Sequence, residues 1–187
     1  MSEIEFPDGD VRGIVAIFFG FPEGKTVDAE MEKQETEELR PTIDFLKEGG
    51  FGVLMKRRAT ADDFAGFVTG KADFLDGHDP AAMLWSAHGG ADGSLQTADG
   101  SHLAPSKVDG LRIDPCLRLV VFSSCHTGVH ARRWHRALDE RPTVVGYDGL
   151  AIFGEVVDFY SDGDARSIQL QRLLRTYLLN PALDPVG

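Results

Sequence analysis

The sequence has little cysteine: two residues in 187, Cys116 and Cys125. A disulfide framework is therefore excluded as the stabilising device, as is a four-sulfur zinc site, and a reducing compartment is expected. It also lacks a long apolar run. The longest, Gly13 to Phe21, falls well short of the ~20 residues that cross a bilayer as a helix. The first residues, Met1-Ser-Glu-Ile-Glu5, are acidic, the opposite of a secretory or mitochondrial leader. A cytoplasmic protein without a membrane partner is the expectation. Positive charge is scarce as well, with 19 Lys and Arg against 30 Asp and Glu and a formal net charge of −11. Such a surface repels phosphate, which excludes nucleic acid as a general partner and suits a basic protein or peptide substrate. There is no internal repeat and no low-complexity tract.

What is present reads as one domain. Residues 1–10 are polar, with Pro7 and Gly9, and are expected to be flexible; 11–180 form a single domain and 181–187 a tail. Gly13-Ile-Val-Ala-Ile-Phe-Phe-Gly20 is a continuous apolar run between glycines, the mark of a strand covered on both faces. A helical pattern follows from about Val27 to Lys47, interrupted at Pro41 and stopped by Gly49-Gly50. Phe51 to Met55 predicts a second strand. Thr60 predicts the N-cap of a helix through Phe64 and Phe67. Ala82-Met-Leu-Trp-Ser-Ala87 predicts a third strand, ended by His88-Gly89-Gly90. Asp99-Gly100, between short alternating segments from Ser94 to Leu103, predicts a β-hairpin after it. Leu117 to Ser124 predicts a fourth strand ended by Cys125, then a helix through Arg132, Trp134, Ala137 and Leu138. Thr143 to Gly146 predicts a fifth strand, and Phe153 to Leu179 a helical region broken near Ser161–Asp164. Strands alternating with helices imply an α/β fold: a doubly wound, mostly parallel sheet with helices on both faces.

In such sheets, sites lie beyond the carboxyl ends of the strands. His88 is one residue past the third predicted strand and Cys125 one residue past the fourth. Neighbouring strands are about 4.8 Å apart, so an imidazole base and a thiol nucleophile leaving adjacent ends can meet. Gly89 and Gly90 would let a substrate carbonyl approach the backbone, and the N–H of Gly89 is the candidate oxyanion donor. A free thiol ionises near pH ~8.5, so such a nucleophile depends on its base and on local dipoles.

The two linked segments are Trp85-Ser-Ala-His88-Gly89 and Val121-Phe-Ser-Ser-Cys125-His-Thr-Gly128. This pattern resembles the caspase-like cysteine peptidases, the clan of caspases, metacaspases, gingipains, legumain and separase. Within it, the second segment is similar to the CHAT subgroup, whose motif reads Ser-Ala-Cys-Glu-Thr-Gly. The order of strands, helices and hairpin agrees over most of the chain. The resemblance implies a caspase-like fold and an endopeptidase that cuts selected proteins with a Cys125–His88 dyad, without metal or organic cofactor. It also implies a role in regulated cell death or bacterial defence. The sequence departs from the pattern at Ser124, where Ala is frequent, and at His126, where Glu is frequent. CHAT modules often follow tetratricopeptide repeats; none is present here, so a stand-alone module with any activator on another chain is expected. Members of the clan often select a charged residue before the cleaved bond. Asp148, just after the fifth strand, is the candidate that would select Arg or Lys, although Tyr147-Asp148-Gly149 also reads as a turn.

Other readings compete. A lone Cys at a strand end is usually a buried structural thiol, and Cys116, between Pro115 and a strand, is read that way. Gly89 to Gly93 lacks the Lys-Ser/Thr of a phosphate loop and reads as a turn. His126 and His130 are four apart, as zinc ligands on a helix are, but no third ligand is evident and partly solvated surface histidines are the simpler reading. The acidic run Asp28 to Glu38 reads as a solvated helix face. Two further functions remain open: a non-catalytic interaction module on the same fold, and another thiol hydrolase. The latter would normally place its nucleophile in a Gly-x-Cys-x-Gly elbow, and Phe122-Ser-Ser-Cys125-His126 lacks the first glycine.

Overall fold

The structure, a computed structural model, describes residues 4–24, 40–146 and 174–179. In chain order its elements are β1 (Ile4–Glu5), β2 (Ile14–Phe19), α1 (Arg40–Glu48), β3 (Gly52–Arg57), α2 (Ala61–Val68), β4 (Pro80–Ser86), β5 (Leu95–Gln96), β6 (His102–Leu103), α3 (Pro105–Val108), β7 (Leu119–Ser123), α4 (Ala131–Ala137) and β8 (Thr143–Gly146). One further helical turn, Arg175–Leu179, follows. Six strands form one sheet in the order β1-β3-β2-β4-β7-β8. β3, β2, β4, β7 and β8 are mutually parallel, and β1 is an antiparallel edge. The sheet is therefore mixed but mostly parallel, in an α/β fold.

The apolar runs are continuous because both faces of the sheet are covered. Every residue of β2 and β4 is buried. Alternate side chains go to opposite clusters. Ala16, Phe18, Met83, Trp85, Val120 and Phe122 pack with Phe64 and Phe67 of α2 and Trp134 of α4. Val15, Ile17, Phe19, Leu84 and Val121 pack with Ile43 and Leu46 of α1 and with Leu174 and Leu178. The first face is rich in aromatics: Phe122 and Trp134 lie 4.7 Å apart between ring centroids, and Phe18 meets Trp85 edge-on at 5.7 Å.

Local signals explain several boundaries. Thr60 caps α2 through a reciprocal box: its hydroxyl accepts from the Asp63 N–H, and the Asp63 carboxylate accepts from the Thr60 N–H at 2.9 Å. At the end of α1, Gly50 adopts φ +83 and the N–H of Phe51 returns to Leu46 O at 3.0 Å, closing the helix. The portion of the expected helix before Arg40 lies outside the described residues, as does the region 153–173. Two elements differ from expectation. β3 runs on through Lys56 and Arg57, which pair with Phe18 and Phe19. Lys56 tolerates this because its ammonium reaches Asp63 at 2.6 Å and lies over the Phe74 ring, 5.4 Å from its centroid. Ile4–Glu5, within the stretch expected to be flexible, pair with Leu54 and Val53. Glu5 ties this edge down by accepting from Arg40 (2.9 and 3.0 Å) and Lys47 (3.4 Å), and Arg40 holds its carboxyl below the usual range. Among the described residues, no helix is long and apolar enough to cross a membrane.

The sheet order fixes where a site can form. β2 is followed in sequence by β3 on one side, while β4 lies on its other side. The order of the strands therefore reverses between β2 and β4, the kind of switch point at whose carboxyl ends sites form in such sheets. β4 and β7 are in register there, Ser86 opposite Ser123.

Candidate active site

His88 and Cys125 each lie two residues beyond the last paired positions, Ser86 and Ser123. Side chains alternate along strands, so both continue the faces of Leu84 and Val121, on the side of the second cluster. The two chains stay together past the ladder. The N–H of Ala87 donates to Ser123 O at 3.4 Å. At Gly89 the backbones are in contact: a Cβ there would overlap the Cys125 carbonyl oxygen and lie 2.9 Å from its N and 3.0 Å from its C. Only glycine fits. The residue after His88 is therefore packed on the backbone of Cys125 itself.

The His88 ring is solvent-exposed, but it is not unsupported. Phe21, buried at the end of the segment that follows β2, meets it at 5.2 Å between centroids, with the planes at 87°. Phe21 is thus the neighbour that fixes the imidazole. Among the described residues no hydrogen bond reaches that ring, from the Cys125 thiol or from elsewhere. Such bonds in unliganded sites are often long and close only around a substrate. Cys125 is half-buried and, like Cys116, forms no disulfide.

Beyond Gly89 the chain makes a tight loop. His88 O accepts from the Gln96 N–H at 2.8 Å, and the Gly90 N–H donates to Ser94 O at 2.8 Å, flanking a bridge between Gly89 and Leu95. Among the described residues, the Gly89 N–H donates to no other backbone group, which leaves it available to an incoming oxygen. β5 and β6 then pair antiparallel, Leu95 with Leu103 and Gln96 with His102. Asp99 closes the turn between them. Its carboxylate accepts from the Thr97 hydroxyl (2.5 Å) and the Ser101 N–H (3.0 Å), which hold it down to about 2.

The segment after Cys125 is equally defined. His126 adopts φ +58, the left-handed region that few side chains visit. Thr127 is fully buried and donates to Ser124 O at 2.8 Å, closing the turn under the thiol. Gly146, at the end of β8, has room for no Cβ: one would lie 2.6 Å from Thr127 Oγ1 and 2.8 Å from Gly128 N. His126 and His130 do not share a helical face, because α4 begins only at Ala131. His130 is instead its N-cap residue, and its Nε2 lies 3.0 Å from Ala91 O.

Cys116 occupies the opposite end of the sheet, before β7. Its donor atom lies within 4.8 Å of those of Asp79 and Asp114, the group among the described residues whose atoms could hold a cation. Burial and the two carboxylates push this thiol up to about 11. Asp148, the expected specificity residue, lies outside the described residues. Sequence reasoning missed Phe21 and the contacts of His130. An aromatic in the loop after the first strand was the available signal for the former; nothing local pointed to the latter.

Compared with known protein families and with curated proteins, the chain matches none.

Proposed function

We propose that the chain is a cysteine endopeptidase of the caspase-like, CHAT-related type, with Cys125 as nucleophile and His88 as base. The observation that carries this reading is the packing of Gly89 on the Cys125 backbone at the ends of two paired central strands. The mostly parallel order of the six strands and the antiparallel β5–β6 pair after His88 support the reading.

In the proposed cycle the Cys125 thiol gives its proton to His88 as its sulfur bonds to the scissile carbonyl carbon. The carbonyl oxygen takes the negative charge and faces the Gly89 N–H. The C–N bond then breaks, and His88 passes its proton to the departing amine. Water attacks the resulting thioester with His88 as base; the S–C bond breaks, Cys125 regains a proton and the new carboxylic acid leaves. The cycle uses no metal or organic cofactor. The acidic excess of the chain, −11, favours a basic residue before the cleaved bond, and Asp148 is the proposed contact for it.

A diverse peptide library read by mass spectrometry tests this. Cleavage after Lys or Arg, abolished by Cys125→Ala and by His88→Ala, is expected. Full activity in Cys125→Ala, or no cleavage in either basic or acidic panels, would falsify the proposal. One observation favours the competing reading of a non-catalytic interaction module, namely that among the described residues no hydrogen bond reaches the His88 ring. A peptidyl electrophile separates the two: labelling of Cys125 that is lost in His88→Ala belongs to an enzyme, and absence of labelling to a binding module.

A further inference from the structure

Three successive carbonyls of the loop after His88 point at one helix. Ala91 O lies 3.0 Å from His130 Nε2, Asp92 O accepts from Arg133 at 3.2 Å, and Gly93 O accepts from the Trp134 indole at 2.9 Å. The donors sit at i, i+3 and i+4, one face of α4 and its N-cap. Gly93, at φ +81, lies so close to His130 that a Cβ would fall 2.5 Å from its ring. The loop has glycine at 89, 90 and 93, so it is the kind of segment that loses most entropy on ordering and does not hold itself. Among the described residues its own cross-bonds are short, Gly90 to Ser94 and Gly93 to Gly90 among the backbone groups, with Asp92 accepting from Ser94.

The other end of the connection matters as much. α4 begins only six residues after Cys125, and the intervening turn is anchored by buried Thr127. One rigid piece therefore carries the Cys125 seat and grips the loop that bears His88 and Gly89. We propose that His130 and Arg133 are positioning residues, which fix the separation of His88 and Cys125 by clamping residues 91–93 to the helix that follows the nucleophile. This rests on the peptidase reading of the same site. Trp134 makes the third contact but is also a core residue, so the two polar members carry the test.

Misplacing reacting groups by about 1 Å costs about a hundredfold in rate, so a loosened clamp acts through geometry. The full chain is alkylated with iodoacetamide at neutral pH, and the rate at Cys125 is read by mass spectrometry. Wild type is compared with His88→Ala, His130→Ala and the double variant, with Cys116 as the internal reference. Expected is a fall of about tenfold for His130→Ala in the wild-type background and almost none in the His88→Ala background, because His130 acts through His88. His130→Gln, whose amide can still donate to Ala91 O, restores the rate. Arg133→Ala, exposed and less apt to disturb folding, repeats the measurement. Equal slowing in both backgrounds, or no slowing, overturns the proposal while leaving the peptidase reading intact. A Cys125 rate indifferent to His88→Ala overturns both.

Discussion

Gly89→Ala tests the central geometry directly. The added methyl meets backbone, not a side chain that could swing aside: the Cys125 carbonyl oxygen, its N at 2.9 Å and its C at 3.0 Å. Normal contact requires the ends of β4 and β7 to part by about 1 Å, the kind of overpacking that costs about 1–3 kcal/mol. For a chain of this size that lowers Tm by roughly 2–12 °C. The same displacement separates His88 from Cys125 and tilts the Gly89 N–H, so peptide hydrolysis is expected to fall about a hundredfold, more than the change in stability accounts for. Gly9→Ala is the control, since nothing lies within 4 Å of a Cβ there and its φ is ordinary. Differential scanning fluorimetry with kcat/KM on a cleaved peptide reads both quantities. If Gly89→Ala keeps wild-type Tm and turnover, the contact with Cys125 does not organise the site and the argument built on it is wrong.

Three further outcomes are expected. Phe21→Leu keeps most of the buried volume but removes the ring that meets His88; kcat should drop about tenfold with a Tm loss of a few degrees, and an unchanged kcat would show that the ring does not orient the base. Cys116, pushed up to about 11, should be alkylated far more slowly than Cys125 at mildly alkaline pH, and Asp114→Asn should speed it. The linkage has a definite sign. A thiol raised above its unfolded value stabilises the fold below that value, and the contribution is lost as pH rises through about 11, so denaturation midpoints should fall across that window more in wild type than in Cys116→Ser.

Much of the sheet was legible because burial on both faces writes itself as uninterrupted apolar residues, as at 14–19 and 119–123. Thr60 and Gly50 were legible for a different reason: a cap and a left-handed helix stop are chemistry confined to a few neighbours. The extension of β3 through Lys56 and Arg57 was not, since it depends on Asp63 and Phe74, which no local pattern ties to that strand. Nor was β1, two residues whose pairing rests on Arg40 and Lys47, 35 and 42 positions away. The positions of His88 and Cys125 at strand ends were readable, but not what surrounds them. Phe21 arrives from the end of another strand, and the grip of α4 on residues 91–93 spans 39 to 41 positions. His130, expected to be partly solvated, is half-buried, and its contact with Ala91 O was not legible.

β4 and β7 pair in parallel, and this has a consequence for timing. Antiparallel neighbours can zip from a tight turn, whereas parallel ones wait for a crossover to close. Here that crossover spans residues 87–118, including the β5–β6 pair and α3. Non-local pairings of this kind form late, after the entropy of a long loop has been overcome. Until then the imidazole and the thiol belong to separate parts of an open chain. On the peptidase reading, a nascent or half-folded molecule carries both groups without a working pair, and hydrolysis requires cooperative closure of the sheet.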